Sequence, residues 1–205
     1  MYDVTATGEL LIDFTRNGLS EQNNRIYEAN PGGAPCNVLA MLGKLGYKTA
    51  FIGKVGEDEF GKLLKNTITE QKICASGLIL DPNVKTTLAF VDNDETGDRS
   101  FSFYRKPGAG MMLREDEVNY ELIDNCRIFH FGSLSMMDEP VRFSTYAMID
   151  YDKKKNKIIY FYPNLRSSFC ESEDLAARQI WYGIEQCDIL KTADNEIEWF
   201  TGTND

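Results

Sequence analysis

Short apolar runs alternate with amphipathic stretches along most of the chain's 205 residues. Short β-rich runs predict strands near 2–8, 49–53, 76–80, 127–131, 157–162 and 188–191. Between them, apolar positions at helical spacing predict helices near 36–45, 58–71, 117–124, 139–154, 173–186 and 194–201. The stretch at 173–186 opens with Glu173 and Asp174, which suit a helix N-terminus, and then shows Leu175, Ile180, Trp181 and Ile184 near helical spacing. Strand–helix alternation of this kind predicts an α/β fold with a mainly parallel sheet. Two segments, 11–30 and 86–105, break the pattern: they carry strand signals with no helix between them. The second contains Asp92-Asn-Asp-Glu-Thr-Gly-Asp98, a turn-rich run that predicts a hairpin.

Composition narrows the function classes. The formal net charge is -10, which argues against nucleic acid or an anionic membrane as a partner, since both demand a basic footprint. Lys153-Lys-Lys-Asn-Lys157 is read as a solvated helix end. Five cysteines (Cys36, Cys74, Cys126, Cys170, Cys187) stand singly and favour neither a disulfide framework nor a zinc site. The start of the chain shows no basic region followed by an apolar stretch, and no run approaches the ~20 residues a membrane helix needs. A single soluble, cytoplasmic domain is therefore expected. His130, inside Ile128-Phe-His-Phe131, reads as a packed strand residue rather than a general base.

The sharpest chemistry lies in Pro31-Gly-Gly-Ala-Pro-Cys-Asn37, followed by Gly46, the strand Thr49–Gly53 and the loop Val55-Gly-Glu-Asp-Glu-Phe-Gly61. Adjacent glycines let a ligand approach the backbone, and Asn37 offers a donor and an acceptor near the first turn of a helix that Gly46 stops. Asp13 ends the apolar run Leu10-Leu11-Ile12, so a carboxylate arrives at a strand's end and can accept two hydroxyl hydrogens. A solvated turn aspartate is the other reading of that position. Arg105 and Arg166 carry guanidinium forks suited to phosphate or polyol oxygens, or else to a neighbouring acidic side chain.

This arrangement resembles the first signature of the PfkB family of carbohydrate kinases, and Gly8-Glu-Leu-Leu-Ile-Asp13 resembles the opening strand of its fructokinase branch. Phe101–Arg105, Phe129–Ser133, Pro163-Asn-Leu-Arg166 and Asp188-Ile-Leu-Lys191 resemble later landmarks of that family in order, and Glu196 resembles the glutamate of its Asn-x-x-Glu motif. The resemblance implies a three-layer α/β/α ribokinase-like core with residues 11–30 and 86–105 forming a small β-sheet lid. It implies ATP-dependent phosphorylation of a sugar hydroxyl, with Asp13, Gly32, Gly33, Asn37, Arg105, Asn164 and Arg166 on the sugar. Lys191 and Glu196 would face the cofactor, Glu196 reaching magnesium through water. Fructose is the implied partner, and a homodimer through the lid is an expectation of the same origin. Leu39, Gly110, Tyr162 and Ala193 depart from the family pattern, standing where a small residue, aspartate, aspartate and asparagine are usual. No Gly-Ala-Gly-Asp turn, which supplies base and anion hole in the family, occurs in the sequence. The resemblance thus implies that this catalytic region lies beyond Asp205 and that the chain is an incomplete form, inactive by itself. A non-catalytic sugar-binding or interaction protein on the same scaffold is the alternative. A dinucleotide oxidoreductase is disfavoured, because Gly8-Glu-Leu-Leu-Ile-Asp13 supplies no Gly-x-Gly-x-x-Gly.

Overall fold

The computed structural model describes residues 1–93, 99–165 and 172–203. In chain order it contains β1 (Tyr2–Thr7), β2 (Leu11–Leu19), β3 (Arg25–Gly32), α1 (Ala34–Lys44), β4 (Thr49–Gly56), α2 (Glu59–Glu70), β5 (Ile73–Asp81), β6 (Leu88–Asn93) and β7 (Arg99–Tyr104). There follow the short α3 (Glu121–Asp124), β8 (Cys126–Gly132), α4 (Val141–Lys154), β9 (Ile158–Tyr162), α5 (Glu173–Gln186), β10 (Ile189–Leu190) and α6 (Asp194–Thr201).

Six strands form one parallel sheet in the order β10-β9-β8-β1-β4-β5. Every residue of β4 is buried, the continuous apolar run expected of a strand covered on both faces. Period-two alternation splits its side chains between two cores. Ala50 and Ile52 join Phe129, Phe131, Met148, Ile159, Phe161 and Ile180 on one side of the sheet. Phe51 and Val55 join Val4, Ala6, Leu39, Leu64, Ile68 and Leu78 on the other. Helices α3, α4 and α5 serve the first core, and α1 and α2 the second, giving the three layers expected.

The helix ends follow their local chemistry. Helix α1 carries Pro35 in its first turn and stops where Gly46 takes a left-handed φ of 91°. Asp58 caps α2, accepting from Gly61 N–H (2.9 Å), and the same carboxylate accepts from Thr86 N–H (2.9 Å) and Thr86 Oγ1 (2.7 Å). Burial pushes the Asp58 pKa up, but these hydrogen bonds outweigh it and hold the carboxyl below its ordinary value. Ser172 caps α5 through Leu175 N–H.

The segments at 11–30 and 86–105 form a separate four-stranded sheet, order β3-β2-β6-β7. Two antiparallel hairpins, β2–β3 and β6–β7, meet along a parallel seam that pairs Ile12–Thr15 with Leu88–Val91. Phe14 stacks on Phe90 at 4.9 Å and meets Phe60 of α2 edge-on at 5.5 Å, which anchors this sheet to the core. Part of the turn expected at 92–98 lies outside the described residues. The expected helix at 117–124 is instead a 3-10 turn at Glu115–Glu117 and the one-turn α3, since Lys54 and the Arg114 backbone N–H draw Glu117 into their own contacts.

Candidate active site

The strand order reverses at β1: the chain builds outward through β4 and β5, then returns to the other side of β1 with β8, β9 and β10. In such sheets the crevice beyond the carboxyl ends of the strands at this switch point is where ligands bind. A cavity of about 600 Å³ lies there, between the strand ends and the inner face of the small sheet.

Asp13 reaches the cavity from β2, where it pairs with Asn30 and Ala89 across the lid sheet. Gly33 and Asn37 reach it from the start of α1, Asn164 from the loop after β9 and Lys191 from the loop after β10. Two glycines of the signature have distinct reasons. A Cβ on Gly32 would land on Asp13 Oδ2, so this glycine makes the space the carboxylate occupies. Gly33 adopts φ 126°, and a Cβ there would strike the carbonyl oxygen of Glu9. Five of the residues anticipated from sequence thus converge: Asp13, Gly33, Asn37, Asn164 and Lys191 line the cavity, and Gly32 supports Asp13 from behind.

Glu9 was not anticipated. It lines the same cavity, and its Oε1 accepts from Ala34 N–H at 2.9 Å, satisfying one of the unpaired amides at the start of α1. The one local signal was a carboxylate beside Gly8, and the loop through β2 and β3 hides its partner. Apolar and aromatic walls complete the space, among them Leu11, Met41, Phe103, Leu134, Tyr160 and Tyr162.

Arg105 and Glu196 stand apart. Arg105 is buried and its Nη2 donates to Asp138 Oδ2 at 2.5 Å, tying the end of β7 to the loop before α4. It lines a neighbouring void of about 30 Å³ with Gly8, Glu9, Thr87 and Gly110 rather than the main cavity. Glu196 is buried outside both spaces. It accepts from Leu165 N–H (2.7 Å), Ala193 N–H (2.9 Å) and Thr192 Oγ1 (3.1 Å), so it straps α6 to the loop that carries Asn164. Arg166 lies outside the described residues. His130 is packed in β8, with Nδ1 3.1 Å from Tyr160 O. Burial lowers its pKa to about 4, the Tyr160 contact opposing only in part.

Among the described residues no group of three or more His, Cys, Asp or Glu side chains could grip a metal. With Glu196 already engaged by three protein donors, the described residues do not by themselves form a magnesium site. Nor is any helix among the described residues long and apolar enough to cross a membrane.

Comparison with known proteins agrees with this architecture. The pfkB family of carbohydrate kinases matches this chain over residues 1–205. A probable fructokinase-2 of Arabidopsis thaliana is 39% identical over 201 residues, covering 97% of this chain and 61% of that protein. The crystal structure of fructokinase from Xylella fastidiosa superposes with a TM-score of 0.92 at 29% identity, covering 98% of this chain and 63% of that one. Fructokinase from Vibrio cholerae O395, in a form with fructose, ADP and calcium ion bound, superposes with a TM-score of 0.87 at 30% identity, covering 99% and 64%. The chain spans about 60% of the length of these relatives. The fold, the switch-point cavity and the family match over residues 1–205 together establish that this chain belongs to the pfkB family of carbohydrate kinases.

Proposed function

We propose that this chain forms the sugar-binding part of an ATP-dependent sugar kinase, with fructose as the acceptor. The observation that carries the proposal is the convergence of Asp13, Gly33 and Asn37 on one cavity beneath a lid sheet. In this reading the Asp13 carboxylate accepts hydrogens from neighbouring sugar hydroxyls, a charge-assisted pair of contacts, and Asn37 both donates and accepts beside it. The lid excludes water that would otherwise compete for the phosphoryl group. Phosphoryl transfer rests mainly on positioning and on stabilising charge on the transferred oxygens. Lys191, across the cavity, would meet the ATP phosphates, and any magnesium would arrive with the nucleotide. A homodimer through the lid and a cytoplasmic location belong to the same proposal.

No general base is assigned within these residues. The absence of a Gly-Ala-Gly-Asp turn from the sequence, together with the partial span of the relatives, supports reading the chain as an incomplete form. Calorimetry with fructose is the direct test, with Asp13→Ala expected to weaken binding by about 2 kcal/mol or more. Unchanged affinity in that variant would remove the sugar-site reading. An ATP-coupled assay on the purified chain should show little turnover; robust turnover abolished by Asp13→Ala would show a base within these 205 residues.

A further inference from the structure

Tyr162 closes β9, and its surroundings give its ring a consequence. The Lys191 ammonium sits 4.0 Å from the centre of the Tyr162 ring, and both side chains line the main cavity. The backbone fixes the pair from both sides. Lys191 N–H donates to Phe161 O at 3.0 Å, and Tyr162 pairs with Gly132 at the end of β8. Lys191 is the one cationic side chain among the described residues of the cavity wall, where Glu9 and Asp13 supply carboxylates. Among the described residues no carboxylate pairs with it. A ring face orients a cation without neutralising it as a paired carboxylate would.

We propose that Tyr162 is a positioning residue that holds the Lys191 ammonium, with its charge undiminished, toward the polyphosphate tail of the phosphoryl donor. The inference rests on the kinase reading of the cavity and deepens it by giving the anion end a residue that orients its cation. The Asp13 end takes a neutral polyol, and the Lys191 end takes an anion.

The test uses inorganic tripolyphosphate as the probe, titrated by calorimetry into the 205-residue chain and its variants. Side-chain NMR of lysine labelled at Cε reads the contact separately through the ring-current shift of the Lys191 Hε protons. Tyr162→Phe keeps the ring and should bind like the parent with the upfield shift intact. Tyr162→Leu should lose the shift and weaken binding about fivefold, the scale of a partly exposed cation–π contact. Lys191→Met should weaken binding further, and adding Tyr162→Leu to it should change nothing more. If Tyr162→Leu binds like the parent while Lys191→Met does not, the positioning role is wrong and the donor end stands. If Lys191→Met also binds like the parent, the assignment of the donor end itself fails. Should Tyr162→Phe behave like Tyr162→Leu, the hydroxyl rather than the ring is responsible, and the inference is overturned.

Discussion

Asp152 offers a test of the structure that is independent of ligands. It lies in the last turns of α4, fully buried, and among the described residues neither carboxyl oxygen has a hydrogen-bond partner. Burial raises its pKa from the ordinary 3.8 to about 7; Lys157 opposes the rise and Asp188 adds to it. Lys157 gives limited relief because its ammonium donates to the carbonyls of Asp124 (2.6 Å) and Cys126 (2.7 Å). Asp188 is likewise occupied, accepting from Ile159 N–H at 2.8 Å. Below about pH 4 the carboxyl is protonated in both folded and unfolded chains, and folding carries no ionisation penalty. Between there and pH 7 the unfolded chain has released a proton that the folded chain retains, so rising pH favours unfolding. Each pH unit is worth ~1.4 kcal/mol, and the whole interval about 4 kcal/mol as a ceiling, a sizeable share of the ~5–15 kcal/mol typical of a domain. Asp152→Asn removes the titration while keeping the shape. Urea denaturation of both proteins from pH 4.5 to 8 should show the variant gaining on the parent as pH rises. The two curves' common slopes, from Asp58 and other shared carboxylates, cancel in the difference. Parallel curves would refute the argument, whatever their constant offset.

Other outcomes follow from the same contacts. Gly32→Ala should displace the Asp13 carboxylate and weaken fructose binding nearly as much as Asp13→Ala does, with calorimetry as the readout. Lys54 is buried in β4 with its ammonium 2.6 Å from Glu117 and 3.3 Å from Asp81. Lys54→Ala should cost about 2–3 kcal/mol in chemical denaturation, because Glu117 and Asp81 both lose its ammonium while keeping their backbone donors. Arg105→Ala should cost ~3–5 kcal/mol by leaving Asp138 uncompensated, and protease should then cut within the lid faster than in the core.

Much of the architecture was readable because its signals are local. Alternating strands and helices announced an α/β fold with a mainly parallel sheet, and the helix-free segments 11–30 and 86–105 stood out from it; the three layers and the lid came from the family resemblance. The register of the lid was not readable, since pairing Ile12 with Leu88 joins positions far apart in sequence. The site divides in the same way. Gly33 and Asn37 belong to one short motif and arrived together. Glu9 escaped notice because its partner, Ala34, lies on the far side of two strands. Arg105 and Glu196 were legible as residues with chemistry to offer, but sequence does not display burial or competing donors. Those decide that one clamps Asp138 and the other straps α6 to the Asn164 loop.

The seam within the lid has a bearing on the order in which the molecule assembles. Each hairpin can zip from its own turn, but the β2–β6 pairing must wait until the chain between them has folded back. Parallel pairing is also slightly weaker per residue than antiparallel, and this seam contains four pairs. Asp13 sits in the seam, opposite Ala89. The carboxylate assigned to the sugar therefore lies on the line along which the lid forms last and opens first. A ligand gripping Asp13 from below would close that line, so amide hydrogens along β2 and β6 should exchange more slowly when fructose is bound.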